Sequence, residues 1–227
     1  MVLKGLAPHG EESRAMRAVF QQELSEVQSR LVELAGGART IMQKASGAFM
    51  NSDVSMADEA LALADSHEEK ALDLDELVIK ILATQSPVAK DLRIVVSALR
   101  MSASLERMGS LASHIAAIAR YRYPGTAIPD ALRGTFEEMS KLDVELADKA
   151  VELLKNTDLD LAREIQAQDE AVDLLHRRVF DTVLAPDWSE NAMFTVDVTL
   201  ASRYFERFAD HVVDISAKVS FLQTGEW

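Results

Sequence analysis

From Phe194 to Val219 the apolar positions Phe194, Val198, Ala201, Phe205, Phe208, Val212, Ile215 and Val219 alternate spacings of four and three residues. That rhythm predicts a single helix with a continuous apolar seam, the pattern of a helix packed in a bundle. One hundred residues earlier the same rhythm runs through Ile94, Ala98, Met101, Leu105, Met108, Ala112, Ile115 and Ala119. Ser102, Glu106, Arg107, Ile115 and Ala117 are identical to Ser202, Glu206, Arg207, Ile215 and Ala217. The shared phase and the repeated Glu-Arg pair predict an internal repeat.

Capping and turn residues divide the rest of the chain. A first helix is expected from about Glu11 to Asn51, weakened at Gly36 and Gly37. The stretch "NSDVSMADEA" supplies Ser and Asp caps for a second helix reaching about Gln85. Pro87 is placed in the first turn of a third, where its missing N–H costs nothing. "RYRYPGTAIPD", Arg120 to Asp130, is the most turn-rich segment. Helices from about Asp130 to Asn156, Leu159 to Leu184, and after "APDWSEN" to about Leu222 complete the layout. The expected fold is all-α: two tandem three-helix bundles related by the internal repeat, spanning residues 11–121 and 129–223.

Composition supports helices over strands, since only 9 Gly and 5 Pro occur in 227 residues. Without any cysteine, disulfides and thiolate metal sites are excluded. A net charge of −13 argues against duplex nucleic acid as a partner, which needs clustered Lys and Arg. The N-terminal stretch "MVLKGLAPHGEESRAM" lacks a signal-peptide core, and no apolar run approaches a membrane span, so the expected location is cytoplasmic.

The candidate chemistry lies in acidic residues at helical spacing. Glu206, Asp210 and Asp214 recur every fourth residue, stacking carboxylates that repel one another on one side of a helix. At about 100° per residue they fall nearly opposite the apolar seam, and so are expected to face water or a partner. Asp169 and Asp173 form a similar pair on the fifth helix, and Asp65, Glu69 and Asp73 a ladder on the second. Such ladders are either solvated stripes or, where two helices set them side by side, sites for a hard cation. The pattern alone leaves both readings open.

"ATQSPVAKDLRIVVSALRMSASLERMGS" and "RYFERFADHVVDI" resemble the two signature regions of the PhoU family, accessory and regulatory proteins of phosphate transport. The resemblance covers nearly the whole chain, from about Glu11 to Leu222. It implies two similar three-helix bundles, often a homodimer, and surface E/D-x-x-x-D motifs that bind multinuclear clusters of iron or other metals such as zinc, manganese or nickel. Carried onto this chain, the second-repeat motif is Glu206 and Asp210, extended to Asp214, with Asp169 and Asp173 on the middle helix. In the first repeat the motif is thinner. Glu106 is kept, but Ser110 replaces the expected Asp, His114 stands where Asn or a carboxylate is common, and Asp65 and Glu69 supply the middle helix. A weaker or differently populated first site is expected, since Ser is a poor ligand for a hard cation.

The resemblance further implies a negative regulator of the phosphate-starvation response. Such a protein couples the phosphate ABC transporter ATPase to a sensor histidine kinase, and touches membranes only through those complexes. Two other readings stand beside it. One is a metal-free helical scaffold for protein contacts, in which the acidic ladders are only solvated. The other is a di-iron carboxylate enzyme, which needs inward-facing Glu-x-x-His pairs. None of His9, His67, His114, His176 or His211 follows a Glu by three residues, and only Asp173–His176 comes near. With no Gly-rich phosphate loop or nucleophilic triad in a recognisable context, the chain is not expected to be an enzyme.

Overall fold

The computed structural model describes residues 9–225, with side chains from residue 17 onward. The N-terminal stretch judged to lack a signal peptide therefore lies largely outside the described residues. Six helices follow in order: α1 (His9–Asn51), α2 (Val54–Gln85), α3 (Ala89–Arg122), α4 (Asp130–Asn156), α5 (Leu159–Val183) and α6 (Ala192–Thr224). Helices α1–α3 pack on one another, and so do α4–α6; the two bundles meet where α1 lies on α4 and α3 on α6. This is the all-α tandem-bundle architecture expected from the seam.

Local chemistry fixes the helix ends. Asp53 caps α2 by accepting from the Met56 N–H, and Asp158 caps α5 by accepting from the Asp160 N–H. Asn191 caps α6 through the Phe194 N–H, and Gly225 closes that helix in the left-handed conformation at φ 79°. Pro87 sits just before α3, whose cap is Val88, and so outside the first turn where the sequence suggested it.

The two bundles superpose in sequence register with different offsets. Buried Val27, Leu31, Leu34, Ala38, Ile41, Ala45 and Phe49 of α1 match buried Leu132, Phe136, Met139, Asp143, Leu146, Ala150 and Leu154 of α4, 105 residues on. The helix caps Asp53 and Asp158 keep that offset. Buried Ala71, Leu74 and Val78 of α2 match Val172, Leu175 and Val179 of α5 at 101, so about one turn is missing from α5 between its cap and these positions. Helices α3 and α6 match at 100.

The contacts Ser104–Asp214 and Arg122–Asp197 show that α3 and α6 run antiparallel across the interface. Each is therefore a central helix with neighbours on several sides. Helix α6 touches α3, α4 and α5.

Helix α1 runs unbroken through Gly36 and Gly37, where a weak point was expected. Buried His67 of α2 explains the second glycine. A Cβ on Gly37 would lie 2.8 Å from His67 Nδ1, and one on Gly109 of α3 would collide with the other side of the ring. The imidazole is thus wedged between two helix backbones, donating from Nε2 to the Leu105 carbonyl at 2.9 Å.

Candidate functional site, a buried carboxylate cluster in the second bundle

Three helices bring five carboxylates together. Glu206 and Asp210 project from α6, Asp169 and Asp173 from α5, and Asp143 from α4. Asp143 is wholly buried, and neither of its carboxylate oxygens has a hydrogen-bond partner. Burial, then the charges of Asp169 and Glu206, push its pKa well above the ordinary carboxylate value. Asp169 is raised to about 6 by burial first, then by Asp173, Asp210 and Glu170, and one of its oxygens is also without a partner. Glu206 is raised by burial and by Asp210, against the opposing pull of Arg203. These mutual effects mark one electrostatic unit.

Glu206 departs from the sequence expectation. It was placed on an exposed side of its helix, yet only 9% of the residue is accessible. Because α6 is central, the side opposite its apolar seam is covered by neighbouring helices instead of water. Two arginines compensate: Arg203 Nη1 donates to Glu206 at 2.5 Å, and Arg207 Nη1 donates to Asp210 at 2.8 Å. Both guanidinium groups keep substantial solvent access, 51% and 43% of their side-chain surface.

The remaining sequence candidates lie elsewhere. Asp214 leaves the cluster and joins the α3–α6 interface, accepting from Ser104 Oγ at 2.5 Å and from Lys218 Nζ. Burial raises its pKa, but the hydrogen bonds from Lys218 and Ser104 outweigh that and hold the carboxyl below its usual value. His114 is exposed and stacks obliquely on Tyr204, ring centroids 5.1 Å apart. Asp65 and Glu69 are exposed on α2. The neighbours that raise Glu106, after its own burial, are Glu68 and Asp75.

With the 101-residue offset, Glu68 stands where α5 has Asp169, and Leu72 where it has Asp173. Ser110 stands for Asp210 and Ala38 for Asp143. Of the five carboxylates of the second bundle, the first keeps counterparts only at Glu68 and Glu106.

His176 and His211 flank the second-bundle cluster. His176 Nδ1 lies 3.0 Å from Ser202 Oγ, and its ring meets Phe180 edge-on at 5.0 Å. Burial and then Arg203 lower its pKa, while burial and then Arg207 lower that of His211. Trp188 packs against the core and donates from Nε1 to Thr195 Oγ1 at 2.9 Å.

All of the cluster's acidic donors are hard oxygens, the type that suits Mg²⁺, Mn²⁺ or iron. An unpartnered buried carboxylate is the one group for which a cation would satisfy both charge and coordination. Among the described residues, however, no three His, Asp or Glu side chains are placed to hold a single ion. Glu206 and Asp210 are instead turned to Arg203 and Arg207. The oxygen donors have the chemistry a hard cation takes, and in this arrangement Arg203 and Arg207 occupy Glu206 and Asp210.

Comparison with known proteins agrees with the repeat. The profile of the PhoU domain matches residues 31–119 and again residues 136–219. The chain belongs to the PhoU family. It is 39% identical over 210 residues to the "phosphate-specific transport system accessory protein PhoU homolog 2" of Mycobacterium tuberculosis, covering 92% of this chain and 99% of that one. It is 37% identical over 212 residues to the PhoU homolog 1 of Mycobacterium leprae, covering 93% and 96%. The crystal structure of PhoU from Pseudomonas aeruginosa matches with a TM-score of 0.82 at 24% identity, over 91% of this chain and all of that one. That of PhoU from Streptococcus pneumoniae gives 0.80 at 21%, over 91% and 98%. At those identities the solved structures establish the PhoU fold alone. Within that fold, the acidic cluster of α4, α5 and α6 is the feature with the most unpaired buried charge.

Proposed function

We propose that this PhoU-family chain is an accessory protein of phosphate transport that represses the phosphate-starvation response when phosphate is plentiful. The observation that carries the reading is the 39% identity to a phosphate-specific transport accessory protein across 92% of the chain. Its partners are the ATPase of the phosphate ABC transporter and a sensor histidine kinase, and it acts from the cytoplasm as a homodimer through protein contacts. No helix among the described residues is long and apolar enough to cross a membrane; in this reading, contact with the membrane runs through those partners.

In this proposal the cluster of Asp143, Asp169, Asp173, Glu206 and Asp210 holds a hard cation, which supplies the positive charge that the buried carboxylates lack. Asp143 and Asp169 supply oxygens with no competing partner, whereas Arg203 and Arg207 must release Glu206 and Asp210. The thinner set at Glu68, Glu106 and Asp75 makes the first bundle the weaker site. The arginine pairs also favour a second reading, in which the cluster stays metal-free and serves a scaffold held together by those ion pairs.

The regulatory reading is tested in a host from which every PhoU-family gene has been removed. Phosphate-starvation genes stay switched on there in phosphate-rich medium, and returning this chain alone restores repression. Continued expression with the chain present, folded and abundant, overturns the reading.

A further inference from the structure

The pseudo-symmetry of the two bundles exposes a difference at the two ends of the α3–α6 pair. At the end where α3 stops and α6 begins, Phe49 and Phe136 are wholly buried with ring centroids 5.2 Å apart, and the inter-bundle linker tucks Ile128 in beside them. Their counterparts at the opposite end, 105 residues away in register, are Leu154 and Leu31. Both leucines line an open groove of about 640 Å³ between α1, the start of α3 and the end of α6. The two leucines are shorter than the phenylalanines they stand for, so less side chain fills this end of the pair than the other.

Its lining has a definite chemical character. Leu24, Ile94, Met101 and Leu222 form an apolar strip along it, and Gln21, Ser25, Gln28 and Gln223 add polar side chains beside that strip. Lys90 and Arg93 stand at the α3 end, and no described Asp or Glu side chain lines it. In a chain with 37 acidic and 24 basic residues, a groove with two cations and no acid departs from the field of the molecule. Neither Lys90 nor Arg93 is engaged in an ion pair with another described residue. A volume of this size lies within the range of small-molecule sites, which are mostly apolar with a few charged groups that fix orientation.

We propose that this groove binds a soluble, single-chain amphiphilic anion, its hydrocarbon part between Leu31, Leu154 and Leu222 and its anionic head at Lys90 and Arg93. The apolar strip favours a ligand with a hydrocarbon part over a fully hydrated ion such as inorganic phosphate, and the cations select against neutral and positively charged chains. The site is separate from the carboxylate cluster, so a ligand here supplies a second input to the same molecule.

The test is isothermal titration of the full chain with monomeric dodecyl phosphate, below its micelle concentration. Wild type is expected to bind it, and to bind dodecyltrimethylammonium and inorganic phosphate at least about tenfold more weakly. Arg93→Glu weakens dodecyl phosphate binding by a similar factor. Leu222→Glu, which sets a negative charge on the apolar strip from a partly buried position, weakens it likewise while leaving the helical circular dichroism intact. Equal affinity for the cationic chain overturns the proposal, as does binding that Arg93→Glu and Leu222→Glu leave unchanged. Binding only to anionic phospholipid vesicles, with none to the monomer, also overturns it, because the surface would then read a membrane instead of a free amphiphile.

Discussion

Asp143 occupies a core position of α4 with no hydrogen-bond partner for either oxygen, and its nearest ionisable neighbours are acids. Its carboxyl pKa is raised in the folded protein, so the fold binds that proton more tightly than the unfolded chain does. Its contribution is therefore most favourable below the unfolded value and is lost as pH rises through the folded one. Asp169, raised to about 6, acts in the same direction. In metal-free protein, Asp143→Asn is expected to melt higher than wild type at about pH 8, because the amide can be buried without the proton that the Asp143 carboxyl must take up on folding. The gap closes towards about pH 4, where a carboxyl of ordinary pKa becomes protonated in both states. Comparing the two proteins cancels the four described histidines, whose lowered pKa values favour folding at higher pH. A gap independent of pH contradicts this assignment.

Glu206, Asp210, Asp169 and Asp173 could be singled out in the sequence because each pair shares a helix at a spacing of four. Asp143 could not, because its partners come from two other helices. The available signal was an acid at a core position, between Met139 and Leu146 in the apolar stripe of α4. The burial of Glu206 was equally hidden, since one helix's seam does not reveal that α4 and α5 bring Asp143 and Asp173 up to that side of α6.

Among the helices, the seam and the caps carried most of the fold. The offset of 100 between α3 and α6 was legible in the sequence, whereas those of 105 and 101 were invisible without burial, because α5 lost about a turn relative to α2 without breaking its own rhythm. The offset of 101 for α2 and α5, in place of the 100 read from α3 and α6, is why Glu68, and not its neighbour Glu69, corresponds to Asp169. Two substitutions probe the packing of these helices. Phe136→Ala removes a ring in contact with Phe49 at the junction of α1 and α4, and is expected to cost about 3–5 kcal/mol in denaturant unfolding. Gly109→Ala forces a methyl into the His67 ring wedged between α1 and α3, and is expected to cost about 1–3 kcal/mol. A change near zero at either position contradicts the packing described.

At the scale of the whole molecule, duplication has produced two bundles with one architecture and different chemistry. The second concentrates five carboxylates and two arginines, while the first replaces Asp143, Asp173 and Asp210 with Ala38, Leu72 and Ser110. The opposite ends of the α3–α6 pair diverge likewise, one packed with Phe49 and Phe136 and the other carrying a groove with Lys90 and Arg93 beside Leu31 and Leu154. A pull-down from membranes is expected to recover the phosphate transporter ATPase and a sensor kinase with wild-type protein. Recovery of neither, under conditions that preserve the transporter, contradicts the adaptor role.

Metal analysis of protein purified without chelator tests the role of the second-bundle carboxylates most directly. Wild type is expected to carry stoichiometric iron, zinc, manganese or nickel. Glu206→Ala/Asp210→Ala should lose it, while Asp65→Ala/Glu69→Ala in the first bundle keeps most of it. Metal-free wild type that takes up none on addition, or a Glu206→Ala/Asp210→Ala variant that retains the full complement, contradicts a cation site at these residues.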